Sequence, residues 1–238
     1  MPTPIPDAEW HAKEYGAYSR DSNEAYENAI CVYNLLHDLG WTLSAICGVY
    51  GNIEAESGYN PWRWQSDDVL SSNEEGIIAS STAHGYGFVQ FTPAGKYIYA
   101  DEAKENTGYG PNFADWEGNI FDGDSQLRYI DENADYIPTW SYPETYEEFK
   151  QSPESPEHCA KAWLLNYERP YEQGEAVQNY RASIARYWYD ILIEFDPSDP
   201  IPPEGGGGQP TPKPSSDSTY YGDKFNINFY LKPHYKRL

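Results

Sequence analysis

Residues 42–61 read TLSAICGVYGNIEAESGYNP, and the organisation of the rest of the chain can be worked outward from them. Thr42 or Ser44 supplies an N-cap, an apolar run carries a helix forward, and Gly58 supplies its stop. Gly48 and Gly51 each cost helix propensity, so their presence predicts neighbours packed close against this helix. Two carboxylates, Glu54 and Glu56, stand near its end. Two residues apart is about 200° around a helix, so they face different directions and form no dyad. Glu56 falls in the last turn, where unpaired carbonyls place partial negative charge. That field, with partial burial under Tyr59, Trp62 or Trp64, favours the protonated carboxyl that a general acid needs. On composition alone, a carboxylate that merely decorates a helix end is the more economical reading.

Helical signals flank this stretch on both sides. Glu24–Leu39 places Tyr26, Ile30, Tyr33, Leu36 and Leu39 on one face and stops at Gly40. Ala94–Lys104 and Ser125–Asp135 are shorter helical candidates. Ser155 as cap and Pro156 at the first position open a helix running through Asn166. The last helix, Glu175–Phe195, has apolar residues at Val177, Tyr180, Ile184, Tyr187, Trp188, Ile191 and Phe195. Residues 62–91 are polar, glycine-containing and partly β-like, and no alternation of strand with helix announces a parallel sheet. The expected fold is therefore mainly α, of α+β type, with a small β region. Inside that region lies Gly85-Tyr86-Gly87-Phe88-Val89-Gln90-Phe91-Thr92-Pro93, which reads as a tight turn into a short strand. As a dinucleotide fingerprint it fails, since the third glycine is missing. Gln90 either points into a cleft or satisfies local backbone.

Composition shifts divide the chain into an N-terminal extension (1–23), a body (24–195), a linker (196–219) and a tail (220–238). The linker reads DPSDPIPPEGGGGQPTPKPSSDST, too poor in apolar residues to bury a core and loosened by four consecutive glycines. In the tail, Phe225, Ile227 and Phe229 alternate with polar residues at strand period, but nineteen residues build no core alone. The linker nets −3 and the tail +3, so residues 1–195 carry the whole net charge of −22.

That acidity argues against a duplex nucleic-acid partner, because no basic stripe exists to release counterions. It argues equally against adsorption to an anionic membrane. No run approaches the roughly 18 apolar residues of a membrane span, and the first residues carry no secretory signal pattern. Cys31, Cys47 and Cys159 are odd in number and lack CxxC spacing, which disfavours a disulfide framework or a zinc site. Cys31 and Cys47 lie in apolar helical patterns and are expected as buried free thiols. With 23 Tyr and 8 Trp the chain is rich in rings that have a flat face and a polar tip, the chemistry of carbohydrate clefts as well as of cores.

Taken together, Glu56-Ser57-Gly58-Tyr59-Asn60-Pro61, the intervening loop and Gly85–Pro93 match a spaced pattern, Glu-Ser followed by Gly-x-Gly-x-x-Gln. Gly40-Trp41-Thr42 with Ala45–Gly48, Asn166-Tyr167-Glu168-Arg169-Pro170, and Tyr187-Trp188-Tyr189 extend it. These blocks resemble the phage tail lysozyme family, the peptidoglycan-degrading tail-knob lysozymes of short-tailed Bacillus phages, over roughly Ala25 to Phe195. Goose-type lysozymes and soluble lytic transglycosylases share the general form.

The resemblance implies a helical lysozyme-like domain with a small β region beside a cleft built around a catalytic glutamate. That role falls on Glu56, the glutamate directly before Ser57, and not on Glu54. Ser57 then supports the helix end and Gln90 lines the cleft. The implied substrate is the MurNAc–GlcNAc glycan strand, cut by protonation of the glycosidic oxygen. Candidates for a second, water-activating carboxylate are Asp67, Asp68, Glu74 and Glu75. Without one, the sugar's own acetamido group or hydroxyl serves, and the hydroxyl route gives the anhydro product of a lytic transglycosylase. Trp62, Trp64, Tyr86 and Tyr59 are candidates for contact with sugar rings, and Glu168 with Arg169 for a structural pair at a helix end. No metal and no cofactor is expected. Larger members of the family carry a metallopeptidase domain beyond a glycine-rich linker, but His234 is the sole histidine after Phe195, so peptide-bond cleavage is not expected. The implied setting is the tip of a virion tail acting on the host wall, with 220–238 as a candidate anchor on tail proteins. A freely acting endolysin and an inactive glycan-binding tail module are the competing readings.

Overall fold

In the computed structural model, residues 8–13, 16–67, 84–100 and 123–194 are described. The linker, the tail, Asp68, Glu74 and Glu75 lie outside them. The central helix, α2 (Leu43–Ser57), begins where Thr42 accepts a hydrogen bond from the Ala45 N–H. It ends where Gly58 takes φ 57°, and there the Gly58 N–H donates to the Glu54 carbonyl. Twelve of its fifteen residues are buried, as expected of a helix surrounded by others.

Its neighbours follow from equally local signals. Helix α1 (Asn23–Asp38) is capped by Ser22. Helix α3 (Gly95–Ile98) is short, and the remainder of the expected Ala94–Lys104 helix from residue 101 onward lies outside the described residues. Helix α4 (Gly123–Asn133) covers most of the expected Ser125–Asp135 helix. Helix α5 (Tyr146–Lys150) was not anticipated; a capping box between Thr145 and Glu148 stabilises its single turn. Helix α6 (Pro156–Trp163) has Ser155 as cap and proline at its start, then widens into a π-helical turn, Leu164–Glu168. Helix α7 (Glu175–Leu192) closes the body.

Helices α6 and α7 pack on α2 at its two glycines. A Cβ on Gly48 would lie 2.5 Å from the Cβ of Cys159 and 2.7 Å from its carbonyl carbon. One on Gly51 would lie 2.8 Å from the Ala185 N and 2.9 Å from the Arg181 carbonyl oxygen. The two glycines are thus required by close approach. Around this contact the core is strongly aromatic. Tyr50, Tyr59 and Trp188 form one cluster, with ring centroids 4.9 to 5.5 Å apart.

Three expectations need correction. Of the face read for α1, Ile30, Tyr33 and Leu36 are buried, but Tyr26 and the cap residue Leu39 are exposed, and Ala25, Ala29 and Val32 complete the buried face. In α7, Tyr180 is exposed and Arg181 takes a buried place. Among the described residues no strand forms around Gly85–Pro93; isolated bridges join Trp64 to Tyr86 and Tyr86 to Phe91. That leaves the fold mainly helical. No helix among the described residues is long and apolar enough to cross a membrane. The three cysteines are free thiols, with Cys47 and Cys159 buried and Cys31 only half-buried. Burial pushes the Cys159 thiol up to about 12, which leaves it unreactive at neutral pH.

Candidate active site

The last turn of α2 carries both carboxylates, and they have different surroundings. Glu54 faces the N-terminal segment. Arg20 grips it with two hydrogen bonds of 2.5 Å, Tyr180 donates to it at 2.8 Å, and the Tyr59 hydroxyl donates as well. Trp188 Nε1 in turn donates to the Tyr59 oxygen at 2.9 Å. All described lone-pair directions of Glu54 therefore point at protein donors, the arrangement of a structural ion pair. Burial, then the Glu54 charge and hydrogen bond, push the Tyr180 phenol up to about 12, against the lowering pull of the Arg20 and Arg181 charges.

Glu56, on another face of the same turn, has one described partner. Arg181 Nη2 donates to its Oε1 at 2.6 Å, and the Glu56 side chain keeps 20% of its surface exposed. The Tyr59 ring does not cover Glu56, contrary to the expectation from sequence; it sits in the core against Tyr50 and Trp188. Ser57 is buried, and its hydroxyl donates to the Ile53 carbonyl within the helix end.

Beyond Gly58 the chain is pinned from three directions. Asn60 is fully buried, accepts from the Lys13 and Trp62 N–H groups, and donates to the carbonyls of Lys13 and Gly16. Tyr18 N–H donates to the Gly58 carbonyl at 2.8 Å. Asn28 of α1 donates to the carbonyls of both His11 and Tyr59. The described part of the N-terminal extension is thus a strap built into the body, running over the end of the helix that carries Glu56.

The two sequence motifs are brought side by side. Gly87 N–H donates to the Arg63 carbonyl, and Gln65 N–H to the Gly85 carbonyl, both at 2.9 Å. Gln126 of α4, fully buried, donates to the Pro61 carbonyl at 2.7 Å and accepts from the Phe88 N–H at 2.8 Å. Gln90 takes φ 49° and is half-buried; its Nε2 donates to the carbonyls of Arg63 and Gly87 at 3.0 Å each. Trp64 and Tyr86 are buried against one another, with centroids 4.7 Å apart, whereas Trp62 is half-buried.

Asp67, at φ 50°, is held by two 3.0 Å bonds from Arg63 and by the Gly16 N–H at 2.9 Å. Burial pushes its carboxyl up, but these hydrogen bonds and the Arg63 charge outweigh it and hold the group below the usual carboxylate range. Glu168 and Arg169 do not pair with each other. Glu168 accepts from Trp163 Nε1 at 3.0 Å, and Arg169 pairs with Asp135 at 2.8 Å. Arg181, Gln126 and Asn60 were not found from sequence. Only Asn60 had a signal, its place between Gly58 and Pro61.

The helix-borne glutamate and the glycine-rich partner loop thus meet in a mainly helical frame, as in a lysozyme-like domain. The phage tail lysozyme family matches residues 27–192, and the chain belongs to that family. Among its relatives is morphogenesis protein 1 of Bacillus phage B103, 36% identical over 170 residues. Those residues are 69% of this chain and 39% of the relative, so the chain spans well under half of that protein's length.

Proposed function

We propose that the chain is a virion-associated muramidase that cuts the MurNAc–GlcNAc glycan strand of the bacterial wall during infection, with Glu56 as general acid. The observation that carries this reading is a partly exposed Glu56 at the end of the central helix of a phage tail lysozyme. Protonated Glu56 gives its proton to the glycosidic oxygen as oxocarbenium character develops on the sugar. Hydrolysis then needs a water activated on the opposite face. Asp67 is already engaged by Arg63 and the Gly16 N–H, so in this reading it braces the loop. Asp68, Glu74 and Glu75 are the carboxylates left for the base. Gln90 spends its amide hydrogens on backbone and offers Oε1 to a sugar hydroxyl, and Trp62 offers ring surface. Tyr59, Trp64 and Tyr86 support these loops from inside the core. Residues 220–238 would anchor the domain on tail proteins.

The test is mass spectrometry of fragments released from purified peptidoglycan by wild type and Glu56→Gln. Hydrated muramic reducing ends, lost in the variant, are expected. Anhydro ends would instead assign a lytic transglycosylase, and equal release by the variant would remove Glu56 from the chemistry.

A further inference from the structure

Arg181 is charged, donates only, and lies on α7 with 7% of its side chain exposed. Its Nη1 donates to the Asn52 carbonyl at 3.0 Å and to Asn52 Oδ1 at 3.1 Å. Nη2 reaches Glu56 Oε1 at 2.6 Å, a length typical of a charge-assisted bond. Asn52 and Glu56 are four residues apart, so they share one face of α2 and present themselves to the same guanidinium. Asn52 is fully buried and is fixed in turn by its own bonds to the carbonyls of Gly48 and Ala160. Arg181 is brought there because Gly51 lets its backbone approach α2. Arg181 Nε is buried and has no hydrogen-bond partner among the described residues.

We propose that Arg181 is the positioning residue for the catalytic acid, holding Oε1 of Glu56 as a permanent acceptor so that the transferable proton is carried by Oε2. The inference rests on the reading of Glu56 as general acid. A guanidinium accepts no proton, so a neutral Glu56 in this arrangement has its hydrogen on Oε2, away from α7. When the proton moves to the glycosidic oxygen, the C1–O bond breaks and its electron pair stays on the leaving oxygen. The carboxylate left on Glu56 is then already paired with a fixed positive charge, which needs no reorganisation. Asn52 sets the guanidinium, and the guanidinium sets the carboxyl.

The experiment measures kcat and KM per folded molecule on soluble glycan fragments for the full chain, for R181Q and for R181K. Displacing a reacting group by about 1 Å costs on the order of 100-fold in rate. R181Q is therefore expected to lose roughly that factor in kcat, with KM within about twofold of wild type. R181K keeps the charge but cannot bridge Asn52 and Glu56 together, and should fall between the two. If R181Q does not fold, R181K alone decides: lowered kcat at unchanged KM supports the proposal, and wild-type kcat overturns it. Fragment affinity is then compared for E56Q and E56Q/R181Q. Equal affinities fit a residue that acts through Glu56, and weaker binding by the double variant would make Arg181 a glycan contact instead. An active E56Q would remove the Glu56 reading itself, whereas an inactive E56Q beside a fully active R181Q removes only the role of Arg181.

Discussion

Glu54 and Glu56 differ in sequence by one intervening alanine, yet in the structure one is closed by four donors and the other is bound on a single oxygen. Helix geometry alone separates their directions; it does not say which faces solvent. The resemblance to a family chose Glu56, and the packing closes both oxygens of Glu54 with donors from Arg20, Tyr59 and Tyr180. A Glu54→Gln variant removes the charge that Arg20 pairs with and leaves two phenol donors around a neutral amide. Hydrogen bonds to charged groups contribute about 1.5–3 kcal/mol each, so a stability loss of roughly 2–3 kcal/mol is expected. Urea denaturation measures it, and lytic activity per folded molecule should stay near wild type. Loss of activity at full folding would reverse the assignment of the two glutamates.

Helix boundaries are legible where a cap or a proline marks them: Thr42, Gly58, Ser155 and Pro156 all stand where the sequence puts them, whereas the Ser22 cap of α1 is seen only in the structure. Buried faces were read less well. Periodicity counted Tyr26 and Tyr180 as apolar, but a phenol can lie at a rim, and the tertiary contacts put Ala25 and Arg181 inside instead. Helix α5 is too short to show a period. The glycines of α2 were read correctly as contact points, and they carry a sharp test. Gly48→Ala should gain about 1 kcal/mol of helix propensity. A methyl 2.7 Å from a Cys159 backbone atom, however, forces α6 away, and overpacking of this kind costs about 1–3 kcal/mol. Net destabilisation by denaturant titration is the expected sign; a more stable variant would mean the α2–α6 contact relaxes freely.

Taken whole, the chain carries −22, and in the proposed reading it acts on a wall whose own polymers are anionic. Long-range repulsion between them is screened by salt, over about 10 Å at 0.1 M. Lysis of intact walls should therefore quicken as salt rises from low millimolar to about 0.1 M, measured as turbidity loss with the full chain. A steady fall over that range would contradict the charge argument. Repulsion of this kind suits an enzyme delivered by a particle rather than one that searches by diffusion. The strap over residues 8–13 and 16–22 also belongs to the whole molecule: Arg20, Lys13 and Gly16 meet groups at the end of α2 and in the loop after it.

What the sequence alone determined was local: the helix that bears Glu56, its two ends, its contact glycines, and the acidity of the body. Caps, propensity and period depend on neighbours within about four residues, which a sequence displays in order. The tertiary structure decided the partners. Arg181 reaches Glu56 across 125 residues, and Gln126 joins Pro61 to Phe88 across 65 and 38. Such pairs exist because packing of α2 against α1, α6, α7 and the strap, and of α4 against α1, leaves a buried polar atom few available mates, and that constraint is written in no single stretch of chain.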